Sequence, residues 1–526
     1  MKSLLALGIL LMVLSGCSES EKSAEEIQSF ELQNIPVDRK IKKALSADYF
    51  KSIGLDKSAL SYLLSYYKKR GYKPRWIDKS ALTVEGEKLK KALQDTFALG
   101  IPQNRIKYGA TENFIQDELW LTVAASQSIN DLQNGIIDYE GKKKKKVNFA
   151  SAGLLDQLFI FDDSTDIRLQ FMKYGPMDLN YRVICQGLIE FTDTYPMDTS
   201  TFDVRSIKYD STMAIKKAQI ALVSKGYLKA GVEDSLGVTE ALTVFQEHNG
   251  LKPDGVIGKY TSQALNESTV HKVERSILAL DKIRSQRKYP EKYIRINIPE
   301  YKLRFVVNDT VQSDHNIVVG KYENQTPELE SNLRKIVVYP YWNVPYSISS
   351  KEILPTLKRN SGYLALHDYK LLKKGEEVDP LTVDWKSIRQ NAFPYRIQQQ
   401  PGPRNSLGVI KFDFYNEHSV YFHDTPSKGL FGADVRAYSH GCMRTQNPVA
   451  LAKAILDFDS IPYRRNDVIS DTLDSLLARS TNIEVGLLER VPIYIDYVTV
   501  ARLNQRMVTY LDIYGRDEEY LRIMRE

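Results

Sequence analysis

At 526 residues the chain is too long for one hydrophobic core, and its length suggests about three domains. With 43% hydrophobic and 26% charged residues it has the composition of an ordinary globular protein, not of a disordered chain. The formal net charge of +6 suits work beside anionic surfaces, but no zinc-finger or RNA-binding fingerprint accompanies it, so nucleic acid is not an expected partner.

The chain begins with a targeting pattern: Lys2, the apolar run Leu4 to Leu14, then Leu14-Ser15-Gly16-Cys17. The run is too short to span a bilayer comfortably. Leu-Ser-Gly-Cys resembles a bacterial lipobox, which implies cleavage before Cys17 and a lipid on it; an ordinary secretory signal is the alternative. Residues 1–17 are therefore read as a lipoprotein signal and the polar residues 18–40 as a tether. The expected location is the periplasmic side of the cell envelope, held to a membrane through Cys17.

Residues 41–205 carry helical periodicity. Leu60, Leu63, Leu64 and Tyr67 recur every three to four residues before Gly71, and Leu89, Leu93, Phe97 and Leu99 do so before Gly100. Phe114 to Asn130 and Ala152 to Phe161 extend the pattern. Within this region Lys142 to Lys146 form a like-charge block, read as a solvated loop, with contact to an anionic polymer or lipid as the other possibility. Cys185 sits in the helix-like run Arg182 to Ile189 and reads as a buried, inert thiol that does not pair with Cys442.

Residues 206–270 form a separate small module. Its signals are Gly226-Tyr227-Leu228, Phe245-Gln246, Asn249-Gly250-Leu251, Asp254-Gly255-Val256-Ile257-Gly258 and Thr261. In that order they resemble the three-helix peptidoglycan-binding domain. Most are core and turn residues, so they indicate a fold better than a binding surface.

From Tyr293 the period changes to two. Strands are predicted at Tyr293 to Ile298, Tyr301 to Val307, Asn316 to Val319, Lys335 to Tyr339, Val409 to Phe414 and Ser419 to His423. A terminal hairpin is predicted over 491–514, pairing Ile493 to Val500 with Met507 to Tyr514. Residues 347–399 read as helical pieces between two strands. The expected class is therefore multi-domain α+β: a helical N-terminal region, a three-helix module and a mainly-β domain over 290–526 with an inserted helical cap.

The chemistry concentrates at Ser439-His440-Gly441-Cys442-Met443-Arg444, with His423 upstream. A cysteine attacks as its thiolate, so it needs a base or a positive field nearby. His423 ends a strand and can project its imidazole from a rigid element to take the thiol proton and later return it. The backbone N–H groups near Gly441 and Cys442 are natural oxyanion donors, because glycine allows close approach. His440 adjoins the cysteine and competes for the role of base. His423, Asp424, His440 and Cys442 can also be imagined as metal ligands, but no metallopeptidase spacing such as H-E-x-x-H occurs. Neither a metal nor another cofactor is expected. His248, His271, His315, His367 and His418 receive no role.

This constellation resembles the signature of the L,D-transpeptidases, which cross-link bacterial peptidoglycan. The fragments His423-Asp424-Thr425-Pro426-Ser427-Lys428 and Asp434-Val435-Arg436-Ala437 match that family in content and spacing, and Tyr66 to Trp76 resembles the N-terminal region of its large members. The resemblance implies Cys442 as nucleophile, His423 as acid/base and Ser439 orienting His423 through its second ring nitrogen. It also implies that residues 347–399 are a mobile cap over the site. Arg444 and His440 are candidate substrate contacts, as are Tyr341 and Trp342 of an aromatic segment resembling a groove wall, although Trp342 reads equally well as core. The implied reaction joins a tetrapeptide stem to a second stem through a 3→3 link with loss of D-alanine, and a carbapenem would acylate Cys442. Hydrolytic trimming of stems, and a non-catalytic wall tether, are the rival readings.

Overall fold

The computed structural model describes residues 35–46, 53–106, 113–157, 166–232, 234–285, 289–461, 464–465, 470–503 and 505–526. Cys17, the signal segment and most of the tether lie outside the described residues. The chain divides into two compact units, residues 1–177 with 523–526, and residues 178–522.

The first unit is helical, with α1 (Val37–Ala44), α2 (Lys57–Lys69), α3 (Val84–Gln94) and α4 (Phe114–Asn134). Three of the four starts are capped by a side chain: Asp56, Thr83 and Asn113 accept from backbone N–H groups in the first turns of α2, α3 and α4. α4 runs through the core, and its buried Glu118 ties the unit together. The carboxylate accepts from the Tyr67 hydroxyl at 2.5 Å and from the N–H groups of Arg75, Trp76 and Ile77 at 2.6, 2.7 and 3.1 Å. The lysine block is more ordered than a solvated loop. Lys143–Lys144 pairs with Ile137–Asp138 as a short hairpin, and Lys145 Nζ reaches the Asn134 carbonyl at 2.6 Å.

The second unit starts with α5 (Leu179–Thr194), which the sequence reading had placed with the N-terminal helices. The module follows as α6 (Ser211–Ser224), α7 (Ser235–His248) and α8 (Lys259–Asn266). Its turn is pinned by the buried Gln246 amide, which accepts from Gly255 N–H at 2.8 Å and donates to the Val256 carbonyl at 3.0 Å. α9 (Thr269–Ser285) is buried along most of its length and leads into the sheet.

The main sheet contains β1 (Lys292–Asn297), β2 (Lys302–Val307), β3 (Thr310–Gly320) and β4 (Leu329–Val338). An inserted cap follows, with β5 (Trp342–Asn343), β6 (Tyr369–Lys373), β7 (Glu376–Val378) and β8 (Arg396–Gln399). The main sheet resumes with β9 (Ile410–Phe414), β10 (Phe422–His423), β11 (Ala437–Ser439), β12 (Met443–Thr445) and β13 (Ile483–Asp496). Among the described residues the nine strands run β11-β3-β12-β10-β9-β4-β13-β1-β2, and β2 also pairs with β3, so the sheet closes on itself with β11 outside. Closure removes the exposed edges that an open sheet would present. Ile294, Ile296, Leu303, Phe305, Ile336, Phe412, Phe422 and Met443 fill the interior with no exposure at all.

Two expectations are corrected. Ile493–Asp496 belongs to β13, which lies between β4 and β1, and the hairpin is the shorter pair β14 (Val500–Leu503) and β15 (Arg506–Thr509). A register shift between Gly486 and Val491 lets β13 pass Pro492 without losing its pairing with β4. The cap is not simply helical either. It holds short helices, including a π-helical turn at Ser349–Ile353, around a four-stranded sheet in the order β7-β6-β8-β5. β6 and β7 join through Lys374-Gly375, both with positive φ (53° and 95°), the conformation of a two-residue hairpin turn. The cap has its own apolar core, including Leu364, Leu371, Trp385 and Ile397.

Candidate active site

The short strands β10 and β12 are parallel neighbours, with Phe422 opposite Met443 and His423 opposite Arg444. Phe422 and Met443 are fully buried and face the barrel interior. Alternation along a strand then puts Tyr421, His423, Cys442 and Arg444 on the other face. Lys411 of β9, in register with His423, joins them. Two strands separated by about 4.8 Å thus bring together residues that are distant in sequence.

His423 is 5% exposed, and its Nδ1 hydrogen-bonds the Asp424 carbonyl at 2.5 Å. A carbonyl can only accept, so Nδ1 carries the proton and Nε2 is left as the basic nitrogen. Asp424 is itself clamped: its N–H donates to the Ile410 carbonyl at 2.8 Å, and its carboxylate accepts from Val409 N–H at 3.0 Å and from Lys428 Nζ. A Cβ on Gly408, whose φ is +61°, would lie 2.2 Å from that carboxylate, so glycine is required there. Burial pushes the His423 imidazole down to about 4, the Asp424 carbonyl pulling the other way and Arg444 adding to the effect.

Cys442 is half-buried and free; Cys185 is also free but buried, and that burial pushes its thiol up to about 11. Burial also pushes the Cys442 thiol above the ordinary cysteine range. Hydrogen bonds from the Tyr421 backbone and hydroxyl, then the charges of Lys411 and Arg444, pull it back. The Tyr421 hydroxyl meets the thiol on one side and the Trp342 side chain on the other, and its ring lies 4.3 Å from Lys411 Nζ. At neutral pH the pair is therefore a neutral thiol and a neutral imidazole.

The loop before Cys442 is set by its own hydrogen bonds. Ser439 Oγ donates to the Cys442 carbonyl at 2.5 Å and accepts from Gly441 N–H at 3.2 Å. The expected bond from Ser439 to His423 is thus corrected: the serine ties its own turn, and the Asp424 carbonyl holds the imidazole. The same bond occupies one of the two expected oxyanion donors, leaving the Cys442 N–H. Gly441 has φ +113°, a value that favours glycine whatever the space. Its carbonyl accepts from buried Thr326 Oγ1 at 2.9 Å, and Thr326 in turn accepts from Gly320 N–H at 2.9 Å.

The substrate-contact candidates separate. Arg444 sits beside Cys442 on the same face, and its guanidinium makes no hydrogen bond or ion pair among the described residues. His440 is turned away, its Nε2 2.5 Å from Glu352 Oε1 in the cap's π-helical turn, an arrangement that does not fit a base for Cys442. Trp342 is half-buried against Tyr369 and touches Tyr421, so it is both cap core and site wall. Tyr341 is 44% exposed. Sequence reasoning missed Tyr421, Lys411 and Glu352. The alternation of Tyr421 with His423 on one strand was the available signal for the first; the other two come from separate elements and had none.

Residues 291–465 match the family model of the L,D-transpeptidase catalytic domain, residues 212–265 that of a "Putative peptidoglycan binding domain", and residues 61–185 that of a "Scaffold domain". A protein of Haemophilus influenzae named "Putative L,D-transpeptidase" is 35% identical over 229 residues, 43% of this chain and 45% of that protein. The chain thus spans under half the length of the curated relative it matches. Among solved structures, the L,D-transpeptidase (residues 123–326) of Xylanimonas cellulosilytica is 16% identical, over 58% of this chain and 98% of that one, with a TM-score of 0.17. The Ldtfm–avibactam carbamoyl enzyme is 11% identical, over 40% and 49%, with a TM-score of 0.18. At such scores neither superposition bears on the fold.

Proposed function

We propose that this chain, which carries the L,D-transpeptidase catalytic domain beside a peptidoglycan-binding domain, forms 3→3 peptidoglycan cross-links through a thioester on Cys442. The observation behind the reading is the shared face of His423 and Cys442, with His423 Nδ1 held by a carbonyl and Nε2 left basic. The donor is a tetrapeptide stem. Cys442 Sγ attacks the carbonyl between the diamino acid at position three and the terminal D-alanine as His423 Nε2 takes the thiol proton. Because both groups rest neutral, proton transfer accompanies C–S bond formation.

The Cys442 N–H faces the developing oxyanion. Collapse of the tetrahedral intermediate breaks the amide C–N bond, and His423 returns its proton to the departing D-alanine. The side-chain amine of a second stem then attacks the thioester, its proton passing to His423 and on to the leaving thiolate, and Cys442 is regenerated. Arg444 and Lys411 supply positive charge for the carboxylate of the D-alanine. Cys17, outside the described residues, would hold the protein to a membrane on the periplasmic side, and a carbapenem would acylate the same thiol.

Intact-protein mass spectrometry after incubation with a tetrapeptide-stem muropeptide tests the reaction. The expected product is an adduct lacking alanine on Cys442, absent from Cys442→Ala, followed by dimers when acceptor is present. Trimmed monomers alone would assign a carboxypeptidase. An unmodified wild-type protein would overturn the catalytic reading.

A further inference from the structure

A cavity of about 250 Å³ opens where α5, the end of α7, α9 and the β14–β15 hairpin meet, all outside the catalytic strand pair. Lys272 of α9 lines it, only 6% exposed. Its Nζ lies 5.6 Å from the Phe191 ring and 5.4 Å from the Phe245 ring, and among the described residues it makes no hydrogen bond or ion pair. The Glu267 carboxylate, whose charge acts on Lys272, is already taken by Arg275 at 2.9 Å and His271 at 2.8 Å. A buried cation without a bonded anion is costly, and a ligand carboxylate would offset that cost. Burial pushes the Lys272 amine down to about 7, so an arriving anion would restore its full charge.

The rest of the lining gives the ligand its polarity. Arg506 of the hairpin supplies a second cation, 3.5 Å from Glu247 and otherwise open. His248 bonds the Tyr227 hydroxyl through Nδ1 at 3.0 Å, which leaves its other ring nitrogen. Glu190, on the exposed side of α5, is an anion whose Oε1 accepts from Gln186 at 3.0 Å. A lining that holds both cationic side chains and a carboxylate suits a group carrying both charges on neighbouring atoms. The volume fits an amino-acid end rather than a whole glycopeptide.

We propose that this cavity binds the zwitterionic α-amino-carboxylate end of a diamino acid on a peptidoglycan stem, with its carboxylate at Lys272 and Arg506 and its ammonium at Glu190. The inference rests on the reading that the chain acts on stem peptides. It makes the junction of module and barrel a second recognition site, apart from Cys442.

The test is calorimetric titration of full-length Cys442→Ala with two stem tripeptides, L-Ala-γ-D-Glu-meso-diaminopimelate and its L-lysine counterpart, whose side chain ends in a bare amine. The diaminopimelate peptide is expected to bind at least about tenfold more tightly, and Lys272→Met, which keeps the packing between the two phenylalanine rings, is expected to abolish that preference. Equal affinity for the two peptides, or a preference that survives in Lys272→Met, would overturn the proposal. In a background with Cys442 intact, Lys272→Met should still form the thioester at saturating tetrapeptide. A Lys272-dependent preference without any acylation of wild type would sink the catalytic reading and leave this site standing.

Discussion

The barrel and the cap solve the same packing problem in different ways. The barrel places His423 on one short strand and Cys442 just before its neighbour within a closed sheet, with His423 held by the Asp424 carbonyl and the Gly441 carbonyl by buried Thr326. The cap is inserted between β4 and β9, carries its own core and four-stranded sheet, and meets the barrel through side chains: Glu352 to His440 and Trp342 to Tyr421. On the proposed reading, chemistry is built on the closed sheet, and access is left to an insertion with its own core. Damage to the barrel face should therefore strike the chemical step, and damage to the cap should strike substrate binding.

The largest separation is expected from Cys442→Ala, which should remove acylation altogether in the mass assay while the fold, followed by circular dichroism, stays intact. His423→Gln should slow acylation by roughly 10³-fold at neutral pH, the usual worth of a positioned general base, in single-turnover kinetics. Tyr421→Phe removes a hydrogen bond to the thiol and should lower the acylation rate about tenfold, with the pH for iodoacetamide labelling of Cys442 moving further up. On the cap side, Leu364→Ala should destabilise the cap core by about 2–5 kcal/mol, raising KM for the muropeptide while leaving iodoacetamide labelling nearly unchanged. Glu352→Gln should have the smallest effect, a change in KM of no more than about fivefold, because the contact it weakens with His440 lies in partly exposed surroundings. A cap variant that slowed labelling as much as Tyr421→Phe would erase the distinction.

These contrasts also mark what the sequence made visible. Cys442 and His423 stood out as candidates because a reactive residue type sits at the end of an alternating strand, and the three-helix module was legible because its glycines punctuate helices. The group that holds His423 was not. It is the backbone carbonyl of Asp424, and every residue has a carbonyl, so only the fold shows which one points at the imidazole. Ser439 was misread for the related reason that a hydroxyl beside a tight turn bonds its own loop first. Of β13 only the part from Ile493 on was read as a strand, although its pairing with β4 begins at Ile483. The β6–β7 hairpin of the cap was hidden among lysines and glutamates that resemble helix as readily as strand.

The pH dependence of Cys442 acylation tests the central claim most directly. With its pKa depressed to about 4, His423 is a neutral base above that value, so the wild-type rate should hold nearly flat from about pH 5 to 8 rather than fall below the ordinary histidine value of 6.5. Without the base, His423→Gln should depend on free thiolate and gain about tenfold per pH unit, closing on wild type as the pH rises. Parallel profiles for the two proteins would show that His423 does not take the thiol proton, and the account of the site would fail.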